Sequence, residues 1–325
     1  MSTPDPQVIA DAVELACRAP SVHNSQPWHW VADDRSLKLF LATHRVPHAT
    51  DVTGREAVIS CGAVLDHLRV AMAAAGWRGS ISRLPNPNDP SHLATVEFSP
   101  ASFVTEADRD RADAILTRRT DRLPFAAPPD WGAFEAVLRT TIDSEQAILH
   151  VLPASVRPQL AEASRLTESL RRYDSAYHAE LQWWTADYEV SEGVPLSNLV
   201  SVAERERLDV ARVFPAGEQS DRRPEIQHDQ SAIVVLSTWG DTRRDALGCG
   251  EVLSEVLLEA TLAGLATCTL THMTELEASR EVVRELTGAQ DCPQVLIRIG
   301  SLPPPAQTPP ATPRRPLADV LDVRR

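Results

Sequence analysis

The chain has 325 residues, of which 43% are hydrophobic, so it can bury a large core in one large domain or two ordinary ones. Its formal net charge of −13 argues against a nucleic-acid partner, because binding a phosphate backbone requires a surplus of Lys and Arg. The five cysteines are widely spaced and form no C-x-x-C pair, which argues against a zinc knuckle or a dithiol motif and favours a reducing, cytoplasmic setting.

The N-terminal segment has the composition of a folded domain. It lacks a basic region followed by an uninterrupted apolar stretch, so no signal peptide is expected. No later segment reaches the roughly 18 to 20 apolar residues that a membrane span needs. We therefore expect neither a transmembrane helix nor a membrane partner.

Helix and strand patterns alternate along the first part of the chain. Apolar residues at helical spacing predict a helix over residues 8–19, which ends because Pro20 cannot continue it. Alternating leucines predict a strand over 36–43. A long amphipathic pattern predicts a helix over 56–75, closed near Gly76, and another strand follows over 93–98.

A second series of elements follows. The patterns predict a helix over 131–140, strands over 147–152 and 232–237, a helix over 247–263 and a final strand over 295–299. Residues 154–223, called the insertion below, are polar and helix-prone and have no counterpart in the first series. The proline-rich tail, residues 303–325, is expected to run extended to a short amphipathic end at 317–321.

An internal repeat appears when the chain is shifted by 188 positions, so that one long helix falls on the other. Seven identities in 22 positions result, where composition alone would give roughly one or two. They include the pairs Cys61 with Cys249 and Gly62 with Gly250, and the glycines indicate close helix packing. The match predicts two related halves, residues 1–110 and 111–325, although two amphipathic helices can also agree by coincidence.

The segment RAPSVHNSQPWHW, residues 18–30, places directed polar groups on the turn after the first helix. The Ser21 hydroxyl and the amides of Asn24 and Gln26 could bond the polar edge of a flat heterocycle or its polyol chain. Trp28 and Trp30 would pack beneath it. The alternative is a capped loop, anchored by aromatic residues, that binds nothing.

A basic motif, RRTDR, occupies residues 118–122. Guanidinium forks bind phosphate oxygens bidentately and Thr120 adds a hydroxyl donor, so the motif suits a phosphate group. Arg314 and Arg315 form a second basic pair near the C-terminus. Either group could instead be a solvated surface cluster.

Together these motifs resemble those of the nitroreductase family. The pattern Pro20-Ser21-x-x-Asn24-x-Gln26-Pro27-Trp28, called the Pro-Ser segment below, resembles the family's flavin-contacting segment, and RRTDR resembles its arginine-rich phosphate motif. In that family two identical subunits build each FMN site. More narrowly, the CGxxL helix, the Trp-rich insertion and the RRPL tail resemble the mycobacterial Acg-type nitroreductases.

The resemblance implies an α+β, nitroreductase-like fold in which two fused halves form an internal pseudo-dimer, with the insertion as a helical lid. The first half lacks the arginine motif, and the second half has DSEQAILHVL where the Pro-Ser segment would stand. The two halves together would therefore complete one FMN site. A monomer is expected, because the surface between the subunits of simpler members would be buried inside one chain.

The resemblance also implies which residues contact FMN. The ring and ribityl chain would meet the Pro-Ser segment, the phosphate would meet RRTDR and the tail, and the turn after the second long helix would approach the flavin N5. Many members carry a Glu-Gly pair at that turn, whereas this chain has GLATCTL from Gly264 onward. The expected cofactor-binding residues are Pro20, Ser21, Val22, His23, Asn24, Gln26, Arg118, Arg119, Thr120, Arg122, Leu265, Ala266, Thr267, Arg314 and Arg315.

Other kinds of site fit the sequence less well. Gly248-x-Gly250 opens a helix after a strand, as in a dinucleotide-binding fold, but Leu253 stands where the third glycine belongs. His44 and His48 have the spacing of a metal pair without Glu or Cys ligands nearby, so no metal is expected. Cys268 is either a reactive thiol or a small buried residue.

The resemblance implies that FMN carries the chemistry and that no protein side chain is catalytic. NAD(P)H would reduce the flavin, which would then reduce a small nitroaromatic or quinone-type acceptor. Tyr173, Tyr177, Trp183 and Trp184 could form a helix face that docks over the flavin and excludes nicotinamide. Three hypotheses follow: an oxidoreductase with a mobile lid, a protein that sequesters FMN without turnover, and a structural relic without flavin.

Overall fold

The computed structural model describes residues 3–185, 192–215, 217, 219–302 and 309–324. Two sheets, one mixed and one antiparallel, form the described part of the chain together with two long central helices and shorter outer helices. The helices are α1 (Pro6–Ala16), α2 (Arg55–Ala74), α3 (Glu106–Thr117), α4 (Trp131–Thr141), α5 (Arg157–Arg171), α6 (Ser175–Trp184), α7 (Val202–Arg205), α8 (Arg243–Leu262) and α9 (Glu277–Thr287). The strands are β1 (Trp28–Ala32), β2 (Ser36–Leu41), β3 (Trp77–Arg83), β4 (His92–Pro100), β5 (Ile148–Leu152), β6 (Ala232–Thr238), β7 (Ala266–Leu270), β8 (Cys292–Gly300) and β9 (Leu321–Val323).

The two sheets share one topology. The first sheet has the order β3-β4-β2-β1 and the second has the order β7-β8-β6-β5, with every neighbouring pair antiparallel. In both, one helix precedes the first strand and a long helix joins the second strand to the third. The first sheet carries one extra strand, because β9 pairs parallel to β1.

The long helices α2 and α8 are both 20 residues long and begin 188 positions apart, at the offset of the sequence repeat. Both end before a glycine in the left-handed region, Gly76 with φ +86° and Gly264 with φ +72°. A side chain there would be strained, which is why glycine follows so many helix ends. The prediction that the first long helix closes near Gly76 is confirmed.

The crossing of α2 and α8 depends on two facing glycines. A Cβ atom on Gly62 would lie 2.0 Å from the carbonyl oxygen of Leu247, and one on Gly250 would lie 2.0 Å from that of Ile59. Leu247 and Ile59 are also 188 positions apart, so the contact has two-fold character. The predicted close packing at these glycines is confirmed.

The main hydrophobic core lies between the two sheets and these helices. Trp28 and Trp30 are completely buried in it and do not line the central cavity described below. By length and hydropathy α2 could also cross a membrane, but 83% of its apolar stretch is buried inside the protein. Such burial is typical of a core helix in a large domain.

Several elements were not predicted from the sequence. Helix α3 buries only three residues, so its apolar pattern is weak, although a capping box of Thr105 and Asp108 marks its start. Strand β9 follows a short helical turn, Leu317–Asp319, and its partner β1 lies almost 300 residues away in the chain. The tail therefore joins the first sheet, although it belongs to the second half by position. The predicted extended course over 303–308 lies outside the described residues.

The predicted aromatic face of the insertion is wrong for two of its four residues. Tyr177 and Trp184 are buried, whereas Tyr173 is 88% exposed and Trp183 is 54% exposed. Tyr173 lies between α5 and α6 and so cannot share a face of α6. Trp183 and Trp184 are neighbours on a helix, where adjacent side chains point in different directions.

Candidate functional site

A central cavity lies between α2, α8, the second sheet and the insertion. Its walls mix apolar side chains with hydroxyls and charged groups, which is typical of a small-molecule site. Seven chain segments meet there: the Pro-Ser segment, the start of α2, the RRTDR motif, the insertion, α8, and strands β7 and β8. Its lining includes Pro20, Ser21, Val22, His23, Ser60, Thr120, Arg122, Arg212, Phe214, Leu253, Cys268, Thr269, Leu270, Thr271 and Arg298.

The Pro-Ser segment reaches the cavity through a strained turn. His23, Asn24 and Gln26 all have positive φ values, of 49°, 56° and 49°. Residues other than glycine rarely adopt this region, and such strain often accompanies functional sites. Two hydrogen bonds hold the turn: the Val22 amide donates to Ser60 Oγ at 3.1 Å, and the Gln26 amide donates to Ser21 Oγ at 3.1 Å.

The predicted residues of this segment divide into two groups. Residues 20–23 line the cavity, whereas Asn24 and Gln26 are not part of its lining. The Asn24 amide donates to the carbonyls of Gly193 and Pro313, and Gln26 Oε1 accepts from the Arg315 amide at 2.9 Å. Both side chains therefore tie the turn to the insertion and the tail.

The His23 side chain forms part of the cavity wall and is uncharged. Burial, followed by the charges of Arg212 and Arg122, lowers the pKa of His23 well below its usual range. Its Nε2 lies 3.1 Å from the Thr50 hydroxyl, and the edge of its ring faces Phe214. The imidazole therefore presents an apolar face and no charge at neutral pH.

The RRTDR motif also divides into two groups. Thr120 and Arg122 line the cavity, whereas Arg118 and Arg119 do not. A bridge between Thr120 and Thr267, with the Asp121 amide donating to the Thr267 carbonyl at 2.9 Å, fixes the motif against β7. Arg122 lies over the ring of Phe214, 5.3 Å from its centroid.

Four arginines gather where the Pro-Ser segment leaves α1, and we call them the arginine cluster: Arg18, Arg118, Arg119 and Arg314. Arg118 Nη2 donates to the Arg18 carbonyl at 3.2 Å, and Arg314 donates to the carbonyls of Cys17, Arg18 and Ala19. Among the described residues none of the four forms an ion pair. The cluster is a concentration of positive charge without a matching acid.

Burial makes this charge costly. It lowers the pKa of Arg118 to about 10, with further contributions from the charges of Arg119 and Arg18. It lowers the pKa of Arg314 to about 9, with Arg118 and Arg18 contributing next. Arg118 Nε and Nη1 are buried and have no hydrogen-bond partner in the described part of the chain. Because buried donors are normally satisfied, these two are suited to an anion.

Four further predicted residues do not line the cavity. Arg315 lies away from the arginine cluster, with its guanidinium donating to the Asp319 carbonyl at 2.6 Å. Leu265 is buried in the main core, and Ala266 and Thr267 begin strand β7 without lining the cavity. The chain enters the sheet directly after α8, so the next four residues, 268–271, form the cavity wall instead.

Cys268 is the thiol in this wall. It is 3% exposed, and burial raises its pKa. The thiol therefore stays protonated at neutral pH and behaves as a small buried residue. Of the two alternatives given by the sequence, the structure favours the second.

Sequence reasoning missed the charged residues contributed by distant segments. Arg212 of the insertion pairs with Glu275 and donates to the Tyr177 hydroxyl at 2.9 Å. Arg298 of β8 donates to Asp229 at 2.6 Å. No spacing in the sequence relates these partners. Arg18 could have been identified from the sequence, because it lies two residues before Pro20, where the Pro-Ser segment begins.

The insertion is fastened to the first half on one side of the cavity. The Glu180 carboxylate accepts hydrogen bonds from the amides of Ala49 and Thr50, at 2.9 and 2.8 Å. Arg171 donates to the Ala49 carbonyl at 3.1 Å, and Arg45 pairs with Glu192. These contacts hold Phe214 and Arg212 against the cavity.

No protein-family model matches the chain. Over 317 residues it is 60% identical to the Mycobacterium tuberculosis protein named "Putative NAD(P)H nitroreductase acg", covering 98% of this chain and 96% of that protein. A second M. tuberculosis protein with the same kind of name is 36% identical over 323 residues, covering 98% of this chain and 92% of the relative.

Similar solved structures include the FMN-dependent nitroreductase NfnB from Mycobacterium smegmatis, determined in complex with NADPH. It is 18% identical and has a TM-score of 0.42, with 68% of this chain and 100% of that chain covered. The FMN and NADPH-dependent nitroreductase NfnB from sphigopyxis sp. strain HMH is 16% identical, also with a TM-score of 0.42, over 66% of this chain and 99% of that chain.

Proposed function

This chain belongs to the family of the mycobacterial Acg protein, which is named for NAD(P)H nitroreductase activity, and we propose that it is an FMN-dependent oxidoreductase of the nitroreductase class. The observation that carries the proposal is the arginine cluster, with two unpartnered buried donors on Arg118 beside the cavity formed by the Pro-Ser segment. An uncompensated cluster of this kind needs an anion, and a phosphate matches guanidinium donors well.

The residues present fit FMN. Arg18, Arg118 and Arg314 would hold its phosphate, with Arg119 adding charge, and residues 20–23 with Thr120 and Arg122 would line the ring system. When bound, FMN supplies hydride transfer, taking electrons from NAD(P)H and passing them to an acceptor. The protein orients the ring and limits access of water through its apolar walls. A small nitroaromatic or quinone would fit as the second substrate.

The second candidate function is sequestration of FMN without turnover. It is favoured by the way the insertion is fastened over the cavity, through Glu180, Arg171 and the ion pair of Arg45 with Glu192. If these contacts persist when FMN is bound, nicotinamide has no access to the ring. The choice between the two functions depends on whether the insertion opens.

One experiment separates the two functions. The purified protein is loaded with FMN without oxygen and mixed with NADH or NADPH while the visible absorbance of oxidised flavin is followed. Rapid bleaching supports the oxidoreductase. Full FMN binding without bleaching by either nucleotide, with reduction by dithionite still complete, supports sequestration. A protein that binds no FMN would contradict both functions.

We also propose that the chain is an internal pseudo-dimer, the product of gene duplication, with one site instead of two. The shared strand order and the Gly62–Gly250 crossing support this view. At the position of the repeat that corresponds to Ser60 in the cavity wall stands Gly248, and the Gln146 side chain packs against it, within 3.2 Å of where a Cβ would lie. The Gln146 side chain therefore occupies the space that faces this position of the repeat, which supports the loss of a second site.

A monomer with one FMN is the expected assembly. Sedimentation velocity of the loaded protein should give a single species of the chain's own mass, 35.6 kDa. Flavin absorbance per chain, measured after removal of free FMN, should give one flavin per chain. An obligate dimer, or two flavins per chain, would contradict the pseudo-dimer proposal but not flavin binding.

Loosening the insertion should speed exchange at the site. Replacing Glu180 with Ala removes two charge-assisted hydrogen bonds, each contributing about 1.5–3 kcal/mol. We expect the rate of FMN release, followed by flavin fluorescence, to rise by roughly tenfold or more, because part of this energy opposes opening. Glu162→Ala, on the exposed face of α5, is the control and should release FMN at the wild-type rate. Equal rates in both variants would show that Glu180 does not restrain the insertion.

A further inference from the structure

Glu56 lies in the wall of the central cavity, in the first turn of α2, and nothing described so far explains it. It is 2% exposed, and neither carboxyl oxygen has a hydrogen-bond partner among the described residues. Arg55 Nη2 is 3.7 Å from Oε1, which is too long for a hydrogen bond. The Arg55 guanidinium instead donates to the Thr274 carbonyl at 2.7 Å and to Gln294 Oε1 at 2.9 Å.

The charged groups facing Glu56 do not compensate a negative charge. Two other acids, Glu275 and Asp51, and two cations, Arg55 and Arg212, act on it. Arg212 is paired with Glu275, and Arg55 is engaged with the carbonyl and amide oxygens of its neighbours. Among the described residues Arg55 is the one cation within 4 Å of the Glu56 carboxylate, and it makes no hydrogen bond to it, so an ionised Glu56 would be a buried anion without a hydrogen-bonded partner.

The magnitudes favour the neutral acid. The positive end of a helix stabilises a nearby carboxylate by about 0.3–1 kcal/mol. Burying an unpaired ion costs several kcal/mol even after the protein relaxes. In agreement, burial, with the charges of Glu275 and Asp51 contributing next, raises the pKa of Glu56 well above its usual range.

A neutral carboxylic acid carries an O–H donor, which needs an acceptor. Ser60 Oγ, a hydroxyl of the same wall, donates to the Glu56 carbonyl at 2.7 Å and accepts from the Val22 amide. A buried donor left unpaired costs about 1–3 kcal/mol. Because Glu56 lines the cavity, an occupant of the cavity can supply the acceptor.

We propose that Glu56 is a protonated hydrogen-bond donor that recognises an oxygen or nitrogen acceptor on the polar edge of the ring bound in the central cavity. The inference rests on the proposed function, because FMN is the ligand that provides this edge. Glu56 is thereby a binding residue that neither sequence motif contains. Its action is positioning and recognition through a neutral donor, and it transfers no electrons.

The test measures FMN affinity against pH for the full-length wild-type protein and two variants. Glu56→Gln keeps a neutral donor, and Glu56→Met has similar length without a donor. Wild-type affinity should fall by roughly tenfold as pH rises through the raised pKa of the carboxyl, because the ionised group has lost its donor. The glutamine variant should bind within about threefold of wild type at the acidic end and show a flat profile, and the methionine variant should bind roughly 3- to 10-fold more weakly at that end. Glu106→Gln, an exposed first-turn glutamate of α3, should reproduce the wild-type profile.

Unfolding without FMN gives a second readout. Because the native pKa of Glu56 is raised, the wild-type protein loses stability as pH rises from the ordinary value of 4.5 toward the native pKa. Glu56→Gln should therefore be more stable than wild type at neutral pH, with the difference vanishing in acid. An unchanged pH profile of affinity in the glutamine variant, or full affinity in the methionine variant, would overturn the inference. A wild-type protein that binds no FMN at any pH would instead overturn the proposed function.

Discussion

Replacing Arg118 with Met is expected to weaken FMN binding by roughly 100- to 10,000-fold, because two charge-assisted hydrogen bonds of about 1.5–3 kcal/mol each are lost. The two donors are Nε and Nη1, which have no partner among the described residues. Methionine fills much of the same space without a charge. The affinity is measured by titrating flavin fluorescence with wild-type and variant protein.

The same substitution is expected to stabilise the protein when FMN is absent. Arg118 is 5% exposed, and burial, followed by repulsion from the charges of Arg119 and Arg18, lowers its pKa. Removing one cation from an uncompensated cluster relieves this repulsion and a desolvation cost of several kcal/mol. The midpoint temperature of thermal unfolding without FMN should therefore rise, and added FMN should no longer raise it further.

Arg109→Met is the matched control, because Arg109 lies on the exposed surface of α3 and shows no contact with the arginine cluster. In this variant the free energy of FMN binding and the free energy of unfolding should both stay within about 0.5 kcal/mol of the wild-type values. If the Arg118 variant kept wild-type affinity, the arginine cluster would not be the phosphate site. A loss of stability without FMN would show that Arg118 is a structural residue and not a ligand-binding one.

Replacing Gly62 or Gly250 with Ala is expected to destabilise the protein by about 3 kcal/mol or more, since overpacking a close contact costs 1–3 kcal/mol even where side chains can adjust. Here the opposing atoms are backbone carbonyl oxygens, 2.0 Å from the added Cβ, and they cannot rotate away. The helices α2 and α8 must move apart. Because both glycines face the same crossing, the double variant should lose less than the sum of the two single variants.

Gly132→Ala provides the control for this prediction. Gly132 lies in α4, and nothing is within 4 Å of where its Cβ would be. Alanine there should stabilise the protein by about 0.5–1 kcal/mol, because it is the better helix former. Urea unfolding of the three single variants measures all these changes. A Gly62 variant as stable as wild type would mean that the helices cross at a greater distance.

Much of the central fold was determined by local sequence. The long helices α2 and α8, their glycine ends and their repeat at 188 positions follow from apolar periodicity and from glycine's access to positive φ. The close approach at Gly62 and Gly250 was predictable because small residues recur at the same place in both copies. Both ligand motifs were also recognisable, since each holds its chemistry within a few consecutive residues.

Which of those motif residues share one site was decided only by the tertiary structure. Arg118 meets Arg18 because α3 packs beside α1, and Arg314 joins them because the tail returns to pair β9 with β1; no local pattern encodes either contact. The same holds for Glu56, since two of the charged groups that act on it, Arg212 and Glu275, are more than 150 residues away in the chain.

The physical reason is the range of each signal. Helical and strand periodicities report which side of an element is apolar, over a few residues. They contain no information about which distant element covers that side, so Tyr173 and Trp183 were placed in a buried face although both are exposed. Whether a charged side chain has an ion-pair partner also depends on how the chain packs, and local sequence does not show it. The sequence by itself therefore determined the helices and strands and the functional groups that they carry. The tertiary structure decided which of these groups are buried together and which are left without a partner.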